Sequence, residues 1–233
     1  MAHRQEEKER RRQERLERER AEKTKIARRK RLQMAGGALA AILAIAVVVL
    51  LVSGTLGGDD SAAEPQAPEA SATLPEQRIG DLQAAAKAAG CRLRNPAIEG
   101  ATHETKDFKP SDYKMNPPTS GNHYPTWYED GVYEPGTTPN LGMLVHTLEH
   151  GRIDVQYKPG TPPETVAQLE ALLAEQNDGY HMLLFENTTG MKAQVAATAW
   201  GHSLTCDEMN PRVFDAIRTF RAEYIDQGPE QVP

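Results

Sequence analysis

Residues 34–52 read MAGGALAAILAIAVVVLLV, 19 positions without a single charge. At about 1.5 Å rise per residue, roughly 20 apolar residues cross the ~30 Å hydrocarbon layer of a bilayer. A cleaved signal peptide has a short basic leader and an apolar stretch of only about 7–15 residues. Here the leader is 33 residues long, and SGTLGGDD beyond the run carries no Ala-x-Ala cut site. The run therefore predicts a retained single transmembrane helix over 34–53.

The flanking charge sets the orientation. Residues 1–33 hold 14 Lys+Arg against 7 Glu, a local charge of +7 in a chain of −6, which leaves −13 for the rest. Basic flanks stay cytoplasmic, so ARRKRLQ predicts an N-terminus inside the cell and an extracytoplasmic C-terminal part. Interleaved opposite charges suit a solvated helix with i,i+4 pairs. The seven glutamates also blunt the field that a phosphate backbone would need, so no nucleic-acid partner is expected.

An outer location bears on the two cysteines. Cys91 and Cys206 would both lie in an oxidising compartment, with no Cys-x-x-Cys spacing for metal or redox work, and are expected to form a disulfide. Residues 54–76 are small, acidic and proline-bearing, and read as a flexible linker. Residues 77–233 then form the extracytoplasmic domain, long enough for one core.

Its second half has legible periodicity. RIDVQY alternates, with Ile153, Val155 and Tyr157 on one face, as in a half-buried strand. In GTPPETVAQLEALLAEQNDG the expected N-cap is Thr161, with Pro162 at the first helical position and Glu164 closing a capping box. HMLLFEN reads as an interior strand, and NTTG as a turn into MKAQVAATAW as its hairpin partner. Asn210-Pro211 opens a last helix with Val213, Phe214, Ile217, Phe220 and Tyr224 inward. The order predicts an α+β fold: a small, mostly antiparallel sheet with helices packed on it. Thioredoxin-like folds share the order, but fold order does not assign function.

LGMLVHTLEHG, residues 141–151, is expected to be a short helix stopped by Gly151. At about 100° per residue, Leu141, Leu144, Val145 and Leu148 gather on one side and Met143, His146 and His150 on the other. An i,i+4 histidine pair on one helical face can clasp a metal. His123, in the Pro/Gly-rich loop NPPTSGNHYPTWYEDG, is a third candidate ligand. Imidazole suits copper and zinc, and a Met143 thioether would favour copper, especially Cu(I). Glu149 is expected to orient a ligand histidine from outside the coordination sphere. As an alternative, His146-x-x-Glu149-His150 has the H-x-x-E-H spacing of a family of zinc hydrolases, with Glu149 as general base. A second alternative is a non-catalytic module that binds a protein partner through the HYPTWY aromatics.

In their order, PPTSGNHYPTW, GVY and LVHTLEHGRIDVQY resemble the bacterial membrane-anchored family called domain of unknown function 3105. The resemblance spans about residues 90–205. It matches His123 to the first motif and His146, Glu149 and His150 to the last. It implies a single anchor and an outer domain, and it implies no reaction. The expected function is therefore membrane-anchored extracytoplasmic metal binding, with copper first and zinc as the alternative.

Overall fold

A computed structural model describes residues 64–69, 72–138, 140–175 and 177–230, all within the compact unit Ser61–Pro233. The expected leader and membrane span lie outside the described residues. Among the described residues, no helix is long and apolar enough to cross a membrane.

The elements run α1 (Leu82–Ala89), β1 (Arg92–Arg94), β2 (Gly131–Val132), α2 (Leu141–Glu149), β3 (Ile153–Tyr157), α3 (Pro163–Ala174), β4 (Met182–Glu186), β5 (Val195–Ala199), β6 (His202–Cys206) and α4 (Pro211–Tyr224). The six strands form one mixed sheet in the order β1-β6-β5-β3-β4-β2. Three neighbouring pairs are antiparallel (β1/β6, β6/β5, β5/β3) and two are parallel (β3/β4, β4/β2). This is the expected α+β architecture, with one pairing that differs. β5 is not the hairpin partner of β4; it pairs with β3 and turns into β6, a strand the sequence reading lacked. The helical crossover α3 returns β4 parallel to β3 on one side. That leaves β3's other side open to β5.

Both faces of the sheet are covered. Ala85, Ala86 and Ala89 of α1, Leu169, Leu172 and Leu173 of α3, and Val213, Phe214, Ile217 and Phe220 of α4 pack on Ile153, Val155, Met182, Leu184 and Leu204. On the opposite face Leu141, Met143, Leu144 and Val145 of α2 join Phe108, Tyr113, Tyr128, Tyr133, Leu183 and Phe185. The alternation along β4, Met182 and Leu184 to one side and Leu183 and Phe185 to the other, follows the two-residue period of a strand.

Two-sided cover corrects the reading of β3 as half-buried: all five of its residues are buried. Its polar positions find partners under α2 instead of water. Gln156 donates to Thr198 and accepts from Asn187. The expected cap of α3 also differs. Pro162 is the N-cap, and the Thr161 hydroxyl donates to the Lys158 carbonyl. Asn210 caps α4 as expected, accepting from the Arg212 amide. Upstream, Gln66 exchanges two backbone hydrogen bonds with Val132, both 2.8 Å. Part of the stretch that reads as a tether is thus laid along β2, shielding an edge whose backbone groups would otherwise be open.

Cys91 and Cys206 form a disulfide, with Cα atoms 4.3 Å apart and a sequence separation of 115. It joins the turn after α1 to the end of β6, beside the Arg92–Thr205 register pair.

Asp154 lies fully buried between β3 and α2. Burial pushes its carboxyl up to about 8, against the hydrogen bond from Thr147. The Thr147 hydroxyl sits 2.5 Å from the Leu144 carbonyl and 2.9 Å from Asp154 Oδ1. One hydroxyl proton cannot serve both acceptors, so a neutral Asp154 supplies the second. An unfolded aspartate titrates near ~3.9. The folded chain holds this proton more tightly, so its contribution to stability is full below the unfolded value. It falls as pH rises towards about 8, by up to about 1.4 kcal/mol per pH unit. Asp154→Asn keeps a donor to Thr147 and is expected to remove this slope. Urea midpoints at pH 5 and pH 8 should diverge less for the variant than for the wild type, and equal divergence would contradict a neutral Asp154.

Candidate metal centre

The site begins with helix α2. Asn140 opens it by accepting from the Met143 amide, and Gly151, at φ 80°, stops it in the left-handed conformation. The helix has no wet side: all nine of its residues are buried. The face that carries His146 and Glu149 is covered by two short segments of the long loop and by the C-terminal tail.

The two loop segments lie side by side. His123 donates its amide to the Thr102 carbonyl at 3.0 Å, and Glu104 donates to the His123 carbonyl at 2.8 Å, a parallel bridge between His103 and His123. This pairing brings His103 to the site. Ring centres of His103, His123 and His146 are 4.6–4.8 Å apart. Glu149 completes the group, its Oε2 lying 2.9 Å from His123 Nε2 and 3.5 Å from His103 Nε2. One ligand atom from each of the four lies within 4.8 Å of the others. His103 is half exposed; the other three are buried.

The hydrogen bonding around the rings is specific. His123 Nδ1 lies 2.8 Å from the Gly121 carbonyl and His146 Nδ1 lies 2.7 Å from the Tyr124 carbonyl. A carbonyl only accepts, so each Nδ1 carries the hydrogen and, in the neutral ring, each Nε2 is a bare lone pair. Ligand histidines are commonly held in this way, with the second nitrogen anchored to a backbone carbonyl. Burial, followed by the neighbouring His150, His123 and His103, holds His146 down at about 4 despite the Tyr124 carbonyl. His146 is therefore neutral at neutral pH.

His123 Nε2 and Glu149 Oε2 are both buried and both lack a hydrogen-bond partner. Buried polar atoms are seldom left so. The two atoms are 2.9 Å apart, but with the ring hydrogen on Nδ1 a lone pair faces the carboxylate and no hydrogen bond joins them. A cation placed among the four donors would satisfy both atoms, so the donor set fits a metal.

Of the sequence candidates, the structure brings His123, His146 and Glu149 into one cluster. Glu149 reaches the cluster directly, where the sequence suggests a residue that orients a ligand histidine or, in the hydrolase alternative, a general base. His150 stands 4.5 Å from His146 between ring centres, on the side of Glu230. Met143 belongs to the apolar cluster beneath α2. His103 was not among the predicted ligands, because nothing in its spacing signals the backbone pairing that delivers it. The aromatics of HYPTWY turn inward: Tyr128 is buried, and the Trp127 ring rests 4.4 Å from His150 and 5.2 Å from His146.

No curated protein and no solved structure matches the chain. The family model described as "Protein of unknown function (DUF3105)" matches residues 104–233, a stretch that carries His123, His146 and Glu149 and begins directly after His103. That match spans more than half of the sequence, and the chain belongs to this family.

Proposed function

We propose that this protein is a membrane-anchored, extracytoplasmic metal-binding protein whose ligands are His103, His123, His146 and Glu149. The observation that carries the reading is the unpartnered pair of His123 Nε2 and Glu149 Oε2, buried beside two further imidazoles. Three imidazoles and one carboxylate make a borderline donor set that suits Cu²⁺ and Zn²⁺. Cu²⁺ binds such sites more tightly in the general order of divalent ions, so copper stands first. The thioether of Met143 is not required. Elemental analysis of the untagged full-length chain, purified without chelators, tests the reading. One copper or zinc per chain is the expected result, and a metal-free chain that also fails to bind either ion on titration would overturn it.

Binding is favoured over hydrolysis by the surroundings of Glu149. A general base needs a water and a substrate beside it, but this carboxylate is buried against His123, and His103 is the exposed member of the group.

The anchor follows from the apolar run 34–52 and its basic flank. A periplasmic-type reporter fused after residue 233 is expected to be active, and a cytoplasm-dependent reporter at the same place inactive. The reverse pattern would contradict the orientation.

A further inference from the structure

We propose a second, outer ion position formed by His146, His150 and Glu230, from which an ion passes to the inner four-ligand set. This inference rests on the metal reading above. One ligand atom from each of the three residues lies within 4.8 Å of the others. The His150 side chain is 2% exposed and that of Glu230 50%, so the group runs from solvent to the interior. His150 Nε2 is 3.4 Å from Glu230 Oε2, while His150 Nδ1 is buried with no hydrogen-bond partner. The indole Nε1 of Trp127, whose ring lies against His150, is likewise buried and unpartnered. The unpartnered His150 nitrogen thus marks this end of α2 as His123 Nε2 and Glu149 Oε2 mark the inner cluster; the Trp127 indole, a donor only, takes no part in holding an ion.

Glu230 is held there by the backbone. The Asp226 amide donates to the Gly151 carbonyl at 2.9 Å, and the Glu230 amide donates to the Glu149 carbonyl at 3.1 Å. Between them Gly228 is pressed so close to α2 that a Cβ would overlap the Glu149 carbonyl oxygen. The C-terminal tail therefore fixes one carboxylate at the outer end of the histidine row.

His146 belongs to both groups, yet it has one free nitrogen, because Nδ1 is engaged by the Tyr124 carbonyl. It cannot bind two ions at once, so the two positions alternate. Its ring centre is 4.5 Å from that of His150 and 4.6–4.7 Å from those of His103 and His123. An ion bound to His146 moves inward by ligand exchange: its bonds to His150 and Glu230 break as bonds to His103, His123 and Glu149 form. No electron is transferred, and the bond to His146 is kept.

Co²⁺ is a suitable probe, since its visible absorption reports its ligands. With the full-length chain in detergent, stopped-flow mixing is expected to show Glu230→Gln taking up Co²⁺ about tenfold more slowly than wild type, while reaching the same final spectrum. His123→Ala, which breaks the inner set, should retain one Co²⁺ with a Kd raised about a hundredfold, and the double variant His123→Ala/Glu230→Gln should lose it. If His123→Ala does not fold, Glu149→Gln removes an inner ligand in its place. Wild-type uptake rates in Glu230→Gln would overturn the outer position, pointing to loading through exposed His103, and leave the inner site standing. An inner-site variant that keeps no ion would also overturn it. Failure of the wild type to bind Co²⁺, Cu²⁺ or Zn²⁺ would remove the metal reading itself.

Discussion

Glu149→Gln is expected to weaken Cu²⁺ or Zn²⁺ binding by at least about a hundredfold while lowering the stability of the metal-free chain by less than about 1 kcal/mol. The two effects diverge for one reason. In the metal-free chain Glu149 Oε2 is buried without a hydrogen-bond partner, so the amide forfeits no hydrogen bond there. Towards a divalent ion, the same substitution removes the one negative charge among the four proposed ligands. A residue retained for packing would behave in the opposite way, costing stability and leaving affinity unchanged. Titration calorimetry and urea unfolding on the same preparation separate the two. A variant that binds as tightly as wild type would place Glu149 outside the coordination sphere.

Loss of the Cys91–Cys206 bridge carries the largest expected effect on stability. The bridge closes a loop with a sequence separation of 115. In the chain-entropy treatment a loop of that length contributes roughly 4–5 kcal/mol, on the order of a thousandfold in the folding equilibrium. The bond ties the α1 and β1 region to β6, and β1 is an edge strand of three residues that offers little pairing of its own. Reduction, or the double substitution Cys91→Ala/Cys206→Ala, should lower the thermal midpoint by roughly 10–15 °C. A shift below about 2 °C would mean that the reduced chain already keeps these two ends together.

The parts of the fold that the sequence announces are those where side-chain period and local cap chemistry decide the outcome. Asn210-Pro211 starts α4 and Gly151 ends α2 because each satisfies a backbone need that few other residues meet. The alternation of RIDVQY correctly divides β3 into two faces. It says nothing of what covers the second face, and α2 with its polar partners Thr147 and Asp154 lies there instead of water. The partner of β5 is a question of topology: sequence adjacency favours β4, but the crossover through α3 has already placed β4 on the far side of β3.

The same distinction runs through the site. His146 and Glu149 share a helix, and their nearness follows from spacing. His123 stands out because prolines and glycines surround it. His103 sits in EGATHETKD, without period or motif, and joins the cluster through hydrogen bonds between segments 99–104 and 120–123, backbone pairs of 102 and 104 with 123 among them. Backbone pairing of two irregular segments leaves no trace in side-chain pattern, so its ligand was the one missed. The inward direction of Glu149 was hidden for a related reason, since it depends on loops closing over a helix face that amphipathic reasoning assigns to solvent.

X-ray absorption at the metal edge of the Cu²⁺- or Zn²⁺-loaded full-length chain reads the ligand set itself. The expected spectrum shows nitrogen and oxygen bound to the ion at about 2.0–2.1 Å, with outer scattering from three imidazole rings and no sulfur. A sulfur scatterer at about 2.3 Å, or the signature of fewer than three imidazoles, would contradict the His103, His123, His146 and Glu149 site.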